Sequence, residues 1–358
     1  MAIHTLQLVS KELTFQKYKR CAARIYDLAK QGRIRIVQDK EGLQVFKMRG
    51  CPGILTALIE YKVPHLTVTV NPSILLGGTY ADLCDITAVN FEYCAATIDE
   101  VLAQLKIRLT CDKLILSRID CTVDIEFPSD TEIMEYILCL KRTKLADAYK
   151  LDEFDPANDA RNRERNLHSF RASCNDISLT VYDKSYQLAD QELMPENEIP
   201  PNRLRIEAAF ENRSFQRLFY MYHKGTVYDT LKKKIVWFSE MSFQLLEEYF
   251  RQTLATGSYL RFDLAVQKIL ESDFSKKKKD QMILFLHQVV RCHKHGVRRA
   301  IQIFKDEDYS ASQVRDILHC FQEIGLNPVT IRSDSISERF PCVPDLLMEK
   351  GALPASIS

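Results

Sequence analysis

The chain has no surplus of charge of either sign: 49 lysines and arginines meet 48 aspartates and glutamates over 358 residues, leaving +1. An overall positive field for nucleic acid is therefore excluded, and any such affinity has to come from local clustering. No apolar run approaches the roughly 20 residues of a membrane span, and nothing near Met1 has the basic, apolar and small-residue order of a signal peptide. The 11 cysteines are odd in number, scattered, and form no CxxC pair, which argues against both a zinc ribbon and a disulfide framework. These absences read as a soluble, cytoplasmic chain with reduced thiols and no membrane partner. What is present is ordinary globular composition, 46% hydrophobic and 27% charged, long enough for two or more domains.

Periodicity predicts a mixed N-terminal part: a helix over 16–31, extended pieces at 33–38, 43–48 and 65–70, and a helix around 98–105. A β-branched strand over 114–127, a helix near 131–144 and a charged surface loop over 151–166 follow. Strands at 177–182 and 204–210 are separated by the turn-rich segment 195–201. Beyond about Thr226 the composition changes to long amphipathic stretches such as 243–253 and 282–290. The expectation is an α+β fold: an antiparallel-sheet catalytic domain with helices on one face (1–230), a mainly helical DNA-binding or accessory domain (231–340), and a tail (341–358). No internal repeat is visible.

Three strands put chemistry on one face. In Arg118–Phe127, apolar Ile119, Cys121, Val123 and Ile125 alternate with Arg118, Asp120, Thr122, Asp124 and Glu126. Aspartate is depleted in strands because its side chain competes for backbone hydrogen bonds, so its repetition at i and i+4 carries a cost. Around 204–210, Leu204, Ile206 and Ala208 alternate with Arg203, Arg205 and Glu207; around 177–184, Ile177, Leu179 and Val181 alternate with Ser178, Thr180, Tyr182 and Lys184. Aligned polar faces would gather Asp120, Asp124, Glu207, Tyr182, Lys184 and Arg205. That is a kit for phosphoryl transfer: carboxylates suit Mg²⁺ or Mn²⁺, the metal offsets phosphate charge, and tyrosine serves as covalent nucleophile. A solvated edge of an antiparallel sheet is the competing reading.

Four ordered stretches carry a resemblance: NPSILLGG (Asn71–Gly78), SRIDCTVDIEF (Ser117–Phe127), LTVYDKSYQL (Leu179–Leu188) and RLRIEAAF (Arg203–Phe210), with GLNPVTI (Gly325–Ile331) near the C-terminus. On these the chain resembles replication initiators of the trans-acting rolling-circle family and the related gene II replication proteins of filamentous phages. The resemblance implies that Tyr182 forms a 5′-phosphotyrosine link, that Asp120, Asp124 and Glu207 surround the metal, and that Lys184 lies next to the scissile phosphate. It also implies origin DNA, single- and double-stranded, as the partner, with a host helicase and polymerase acting afterwards and oligomerisation left open. Where many relatives carry a glutamate three residues after that lysine, this chain has Gln187, and Tyr186 is a rival nucleophile. The histidine-hydrophobe-histidine motif of the other large initiator class is missing, since Lys294 stands between His293 and His295. His168 reads as a satisfied surface or core histidine that at most assists the carboxylates.

The C-terminal part offers a duplex reader. Ser310 and Gln313 form a capping box, Val314, Ile317, Leu318, Phe321 and Ile324 follow at helical spacing, and Gly325 and Pro328 end the helix. With the amphipathic stretch 297–304 before and the strand-like 329–331 after, the order fits a winged helix-turn-helix. Between Lys276 and Arg299 eight basic residues face Asp280 alone, a balance of +7. Lys276, Lys277, Arg298 and Arg299, with Arg171 and Arg205 in the catalytic part, are the expected DNA contacts. Three alternatives remain: a relaxase of a conjugative element, which uses the same chemistry; a non-catalytic DNA-binding regulator; and a nucleotidyl-transferase palm built on Asp120 and Asp124, against which stands the lack of a Gly-rich nucleotide loop.

Overall fold

The computed structural model describes residues 2–350 except 12–13, 61–64, 155–159, 212, 225–228, 293–295 and 308. In its first half β1 (Ala2–Ser10) and α1 (Phe15–Lys30) precede β2 (Ile34–Lys40), β3 (Leu43–Met48), β4 (Ile54–Glu60) and β5 (His65–Val70). Helices α2 (Pro72–Leu75) and α3 (Ala88–Gln104) lead to β6 (Ile115–Glu126) and α4 (Asp130–Arg142). Then come β7 (Lys150–Leu151), α5 (Ala160–Leu167), β8 (Ser169–Cys174), β9 (Ile177–Asp183), α6 (Lys184–Asp190) and β10 (Arg203–Glu211).

All ten strands join one antiparallel sheet in the order β2-β3-β4-β5-β1-β6-β10-β9-β8-β7. This is one connectivity written twice and joined along β1 and β6: strand, helix, then four strands of which the last returns beside the first. The sequence hides the repeat because a shared topology needs a shared alternation of apolar positions, not shared residues.

The alternation divides the sheet cleanly. Val123, Ile206, Val181 and Phe170 lie side by side on neighbouring strands, and so do Leu6, Ile119, Phe210 and Ile177. All but half-buried Ile177 are closed off from water. Helices cover this apolar face: α4 packs on β8 and β9, and α8 (Leu231–Thr253) crosses β6, β1 and β10. Phe238 of α8 stands 6.3 Å, ring to ring, from Phe210.

After α7 (Arg213–His223) and α8, the chain adds β11 (Tyr259–Leu260), α9 (Phe262–Glu271), α10 (Lys276–Arg291), α11 (Gly296–Asp306), α12 (Ala311–Glu323), β12 (Arg339–Phe340) and α13 (Val343–Lys350). The C-terminal part is thus mainly helical. The boundary expected at 230/231 falls at the start of α8, a helix of the sheet's own core, and one continuous apolar cluster runs from Ile3 to Leu347. Gly296 is one point of close approach between the parts: a Cβ there would stand 2.5 Å from the carbonyl oxygen of Arg142 in α4.

Several sequence expectations change. The expected surface loop 151–166 contains α5, whose residues include none that is buried, so it has no apolar stripe for periodicity to detect. Part of the expected tail is α13, held by buried Val343, Leu346 and Leu347; residues 351–358 lie outside the described ones, as do His293, Lys294 and His295. Strands β1, β4, β7, β8, β11 and β12 add to those expected from periodicity. The capping box forms as expected: Ser310 Oγ accepts from Gln313 N at 3.2 Å, and Ser310 N donates to Gln313 Oε1 at 2.7 Å. Gly325 follows α12 with φ +61°. The strand-like 329–331 contributes a single bridge, Ile331 to Arg261, and β11 pairs instead with β12. Among the described residues no helix is long and apolar enough to cross a membrane.

Candidate active site

Register alone brings the polar positions together. Asp124, Arg205, Tyr182 and Ser169 lie side by side across β6, β10, β9 and β8; the next row is Thr122, Glu207, Thr180 and Arg171, and the next Asp120, Ala209, Ser178 and Ser173. Directly opposed residues in antiparallel pairs project on the same side. Small side chains at Ala209, Ser178 and Thr180 leave a floor between taller walls. The result is a cleft of about 630 Å³ that reaches Asp120, Glu207, Tyr182, Arg171, His168 and Tyr186 among others.

A fourth strand supplies a residue that sequence reasoning missed. The β1/β6 register shifts between Ile3 and Thr5, so His4 is the extra residue of a bulge, a feature that re-aims a side chain. Its ring reaches the polar face, with Nδ1 3.3 Å from Glu207 Oε1. Ligand atoms of His4, Asp120 and Glu207 lie within 4.8 Å of one another. The available signal was the spacing of Ile3 and Leu6, two buried residues three apart where strict alternation allows two or four.

Electrostatics distinguish these groups. Burial, and then the cations Arg205, Lys184 and Arg118, hold the His4 pKa well below its ordinary value, which favours the neutral imidazole, the form that can ligate a cation. Burial raises the Asp120 pKa against the pull of Arg118, which grips the carboxylate at 2.7 and 3.0 Å. Burial and Asp120 together raise that of Glu207. A buried and a half-buried carboxylate that repel each other, beside a neutral imidazole, form a donor set that a divalent cation would relieve.

Tyr182 donates to Glu207 Oε1 at 2.8 Å. Burial, followed by the charge of Glu207, raises the phenol's pKa well above its usual value. As it stands, the group is a protonated phenol aimed at a carboxylate.

Asp124 lies apart from this trio. The expectation that it ligates the metal is replaced by a buried ion pair: Arg205 Nε and Nη2 meet its two oxygens at 2.6 and 2.7 Å, and Arg205 Nη2 also donates to the carbonyl of Ala81 at 3.1 Å. Burial works against the guanidinium's charge, but the neighbouring Asp124 carboxylate prevails and the pKa of Arg205 is raised. Arg205 has no exposed surface, so its expected contact with DNA gives way to this structural role. The NPSILLGG stretch reads structurally too: Asn71 caps α2, with Oδ1 accepting from Ile74 N at 3.4 Å, and starts the turn that delivers the Ala81 carbonyl.

Lys184 does not continue the strand. β9 ends at Asp183, whose Oδ1 caps α6 by accepting from Tyr186 N at 2.9 Å, and Lys184 is the first residue of that helix. Its ammonium is buried and donates to Gln187 Oε1 at 2.8 Å. Burial and Arg205 lower its pKa well below the ordinary value, and a neutral amide is a partner that suits a lysine so placed. Gln187 thus serves here as the hydrogen-bond partner of Lys184.

Arg171 faces the cleft, half exposed, 3.8 Å from Asp152. His168 is satisfied, as expected: Nδ1 lies 3.0 Å from Asp183 Oδ2, and the residue takes no part in the His4 trio. The basic residues of the C-terminal part fall into two groups. Lys276 and Lys277 begin α10, whereas Arg298 and Arg299 are exposed on the first turn of α11, beyond the other end of α10, roughly 20 Å along that helix at 1.5 Å per residue. No protein-family model matches the chain, and no curated protein matches it.

Proposed function

We propose that this protein nicks one strand of DNA at a replication origin, with Tyr182 as nucleophile, and so initiates rolling-circle replication of a phage or plasmid. The observation that carries the reading is the hydrogen bond from the Tyr182 phenol to Glu207, 2.8 Å long, beside the trio of His4, Asp120 and Glu207. In the reaction the Tyr182 oxygen bonds to phosphorus, its proton passes to Glu207, and the bond from phosphorus to the 3′ oxygen breaks. The 3′ oxygen takes up a proton from water and leaves as a hydroxyl primer, while the 5′ phosphate stays on the enzyme. One phosphodiester replaces another, so no outside energy source is needed, and the step can be reversed to reseal the strand.

His4, Asp120 and Glu207 would hold a divalent ion, which supplies positive charge to the phosphate as negative charge builds up. An imidazole with two carboxylates favours Mn²⁺ over Mg²⁺ as the tighter ligand, because nitrogen donors suit the softer ion. Arg171 on the cleft wall is a cation available to the backbone of the strand. Asp124 and Arg205 hold β6 and β10 in register beneath Tyr182, acting as positioning residues.

The test is Tyr182→Phe, which keeps the ring and removes the oxygen. The variant is expected to fold, to bind DNA and Mn²⁺, and to form no covalent adduct with supercoiled DNA of its own replicon; Tyr186→Phe is expected to keep adduct formation. Peptide mapping of the adduct decides the assignment, and a nucleotide on Tyr186 or on a serine would overturn it.

A further inference from the structure

Tyr186 and His168 form a stack on the wall of the cleft: their ring centroids are 3.8 Å apart and the planes differ by 3°. One buried carboxylate fixes both. Asp183 Oδ1 accepts from the Tyr186 backbone, and Oδ2 lies 3.0 Å from His168 Nδ1. Glu164 Oε1, 3.5 Å from His168 Nε2, holds the imidazole's other side. Phe154 also lines the cleft, 48% exposed, with the Arg165 guanidinium carbon 5.9 Å from its ring centre.

An aromatic side chain held partly in water by a dedicated hydrogen-bond scaffold, as Tyr186 is against the nearly buried His168, buries little apolar area for the order it costs. A ring already fixed in place is, however, a preorganised surface for another flat ring. Every nucleobase has a π-face, and that face is free only where the base is unpaired and unstacked. The cleft's volume of about 630 Å³ lies within the roughly 300–1,000 Å³ typical of small-ligand sites.

We infer that the Tyr186–His168 stack is a platform for one unpaired nucleobase of single-stranded DNA next to the scissile phosphate. The inference rests on the nicking reading and specifies its substrate as single-stranded at the cut. Tyr186 is then a base-binding residue and not a second nucleophile, and the ring, not the hydroxyl, is what matters.

The experiment uses the full chain in EDTA with oligodeoxythymidylate carrying 2-aminopurine at successive positions. Binding is expected to quench the fluorophore at one position, in the wild type and in Tyr186→Phe alike. Tyr186→Leu is expected to lose the quenching and bind about 5- to 150-fold more weakly, the range for loss of one base stack. Tyr186→Gln takes its place if the leucine variant does not fold. Unchanged quenching and affinity in Tyr186→Leu, or an equal loss in Tyr186→Phe, overturns the platform. Adduct formation at Tyr182 with unchanged single-strand affinity in Tyr186→Leu defeats the platform and leaves nicking intact. Quenching that depends on Tyr186, in a wild type that forms no adduct with Mg²⁺ or Mn²⁺, defeats nicking and leaves the platform.

Discussion

Replacing Asp124 by asparagine is a mild change by volume and a severe one by charge. If Asp124 were a metal ligand, the variant would keep its stability and lose activity. Its contacts lead to a different expectation. Arg205 has no exposed surface, both carboxylate oxygens of Asp124 engage it at 2.6 and 2.7 Å, and Arg205 Nη1 has no hydrogen-bond partner. In the variant, an amide N–H would face a guanidinium N–H and the buried cation would have no counter-charge. Removing one partner of such a pair costs about 3–5 kcal/mol, a fifth or more of a typical total of about 5–15 kcal/mol. Asp120 is the internal control, because its partner Arg118 is 31% exposed and can rehydrate; Asp120→Asn is expected to shift stability by about 1 kcal/mol or less. Urea unfolding followed by far-ultraviolet circular dichroism measures both. The double variant Asp124→Asn with Arg205→Met removes the stranded charge and is expected to recover most of the loss. Wild-type stability in Asp124→Asn, with weakened Mn²⁺ binding, would refute the reasoning and return Asp124 to the metal site.

Three further outcomes follow from the structure. His4→Ala is expected to weaken Mn²⁺ binding at least 10-fold in calorimetry, whereas His168→Ala, outside the trio, leaves it within about twofold; equal effects would dissolve the proposed metal site. Charge reversal at Lys276 and Lys277, or at Arg298 and Arg299, is expected to flatten the salt dependence of duplex binding by about 0.9 in the log–log slope for each phosphate that is no longer neutralised; if only one pair moves the slope, the other end of α10 faces away from DNA. Cys51 and Cys174 are the two cysteines that are not buried, so a thiol reagent is expected to titrate about two groups in the native protein and all 11 after denaturation; prompt reaction of further thiols would contradict the packing.

Alternation in 118–127, 177–182 and 204–210 was enough, from sequence, to place Asp120, Glu207 and Tyr182 on the polar faces of strands, because side-chain direction in a strand depends only on parity. Helix ends were legible where the signal is local, as in the Ser310–Gln313 capping box. Parity does not say which strands are neighbours or in what register, and those decided the site. Pairing of β6 with β10 opposed Asp124 to Arg205, turning an expected metal ligand into half of a buried ion pair. The end of β9 at Asp183 moved Lys184 and Tyr186 onto a helix, where their directions follow a period of 3.6 rather than 2. His4 lies 116 residues from Asp120 in the chain, and only the bulge in β1 turns it toward the carboxylates. Local chemistry therefore determined which residues this protein could use, and long-range pairing, which no single segment encodes, decided which of them meet.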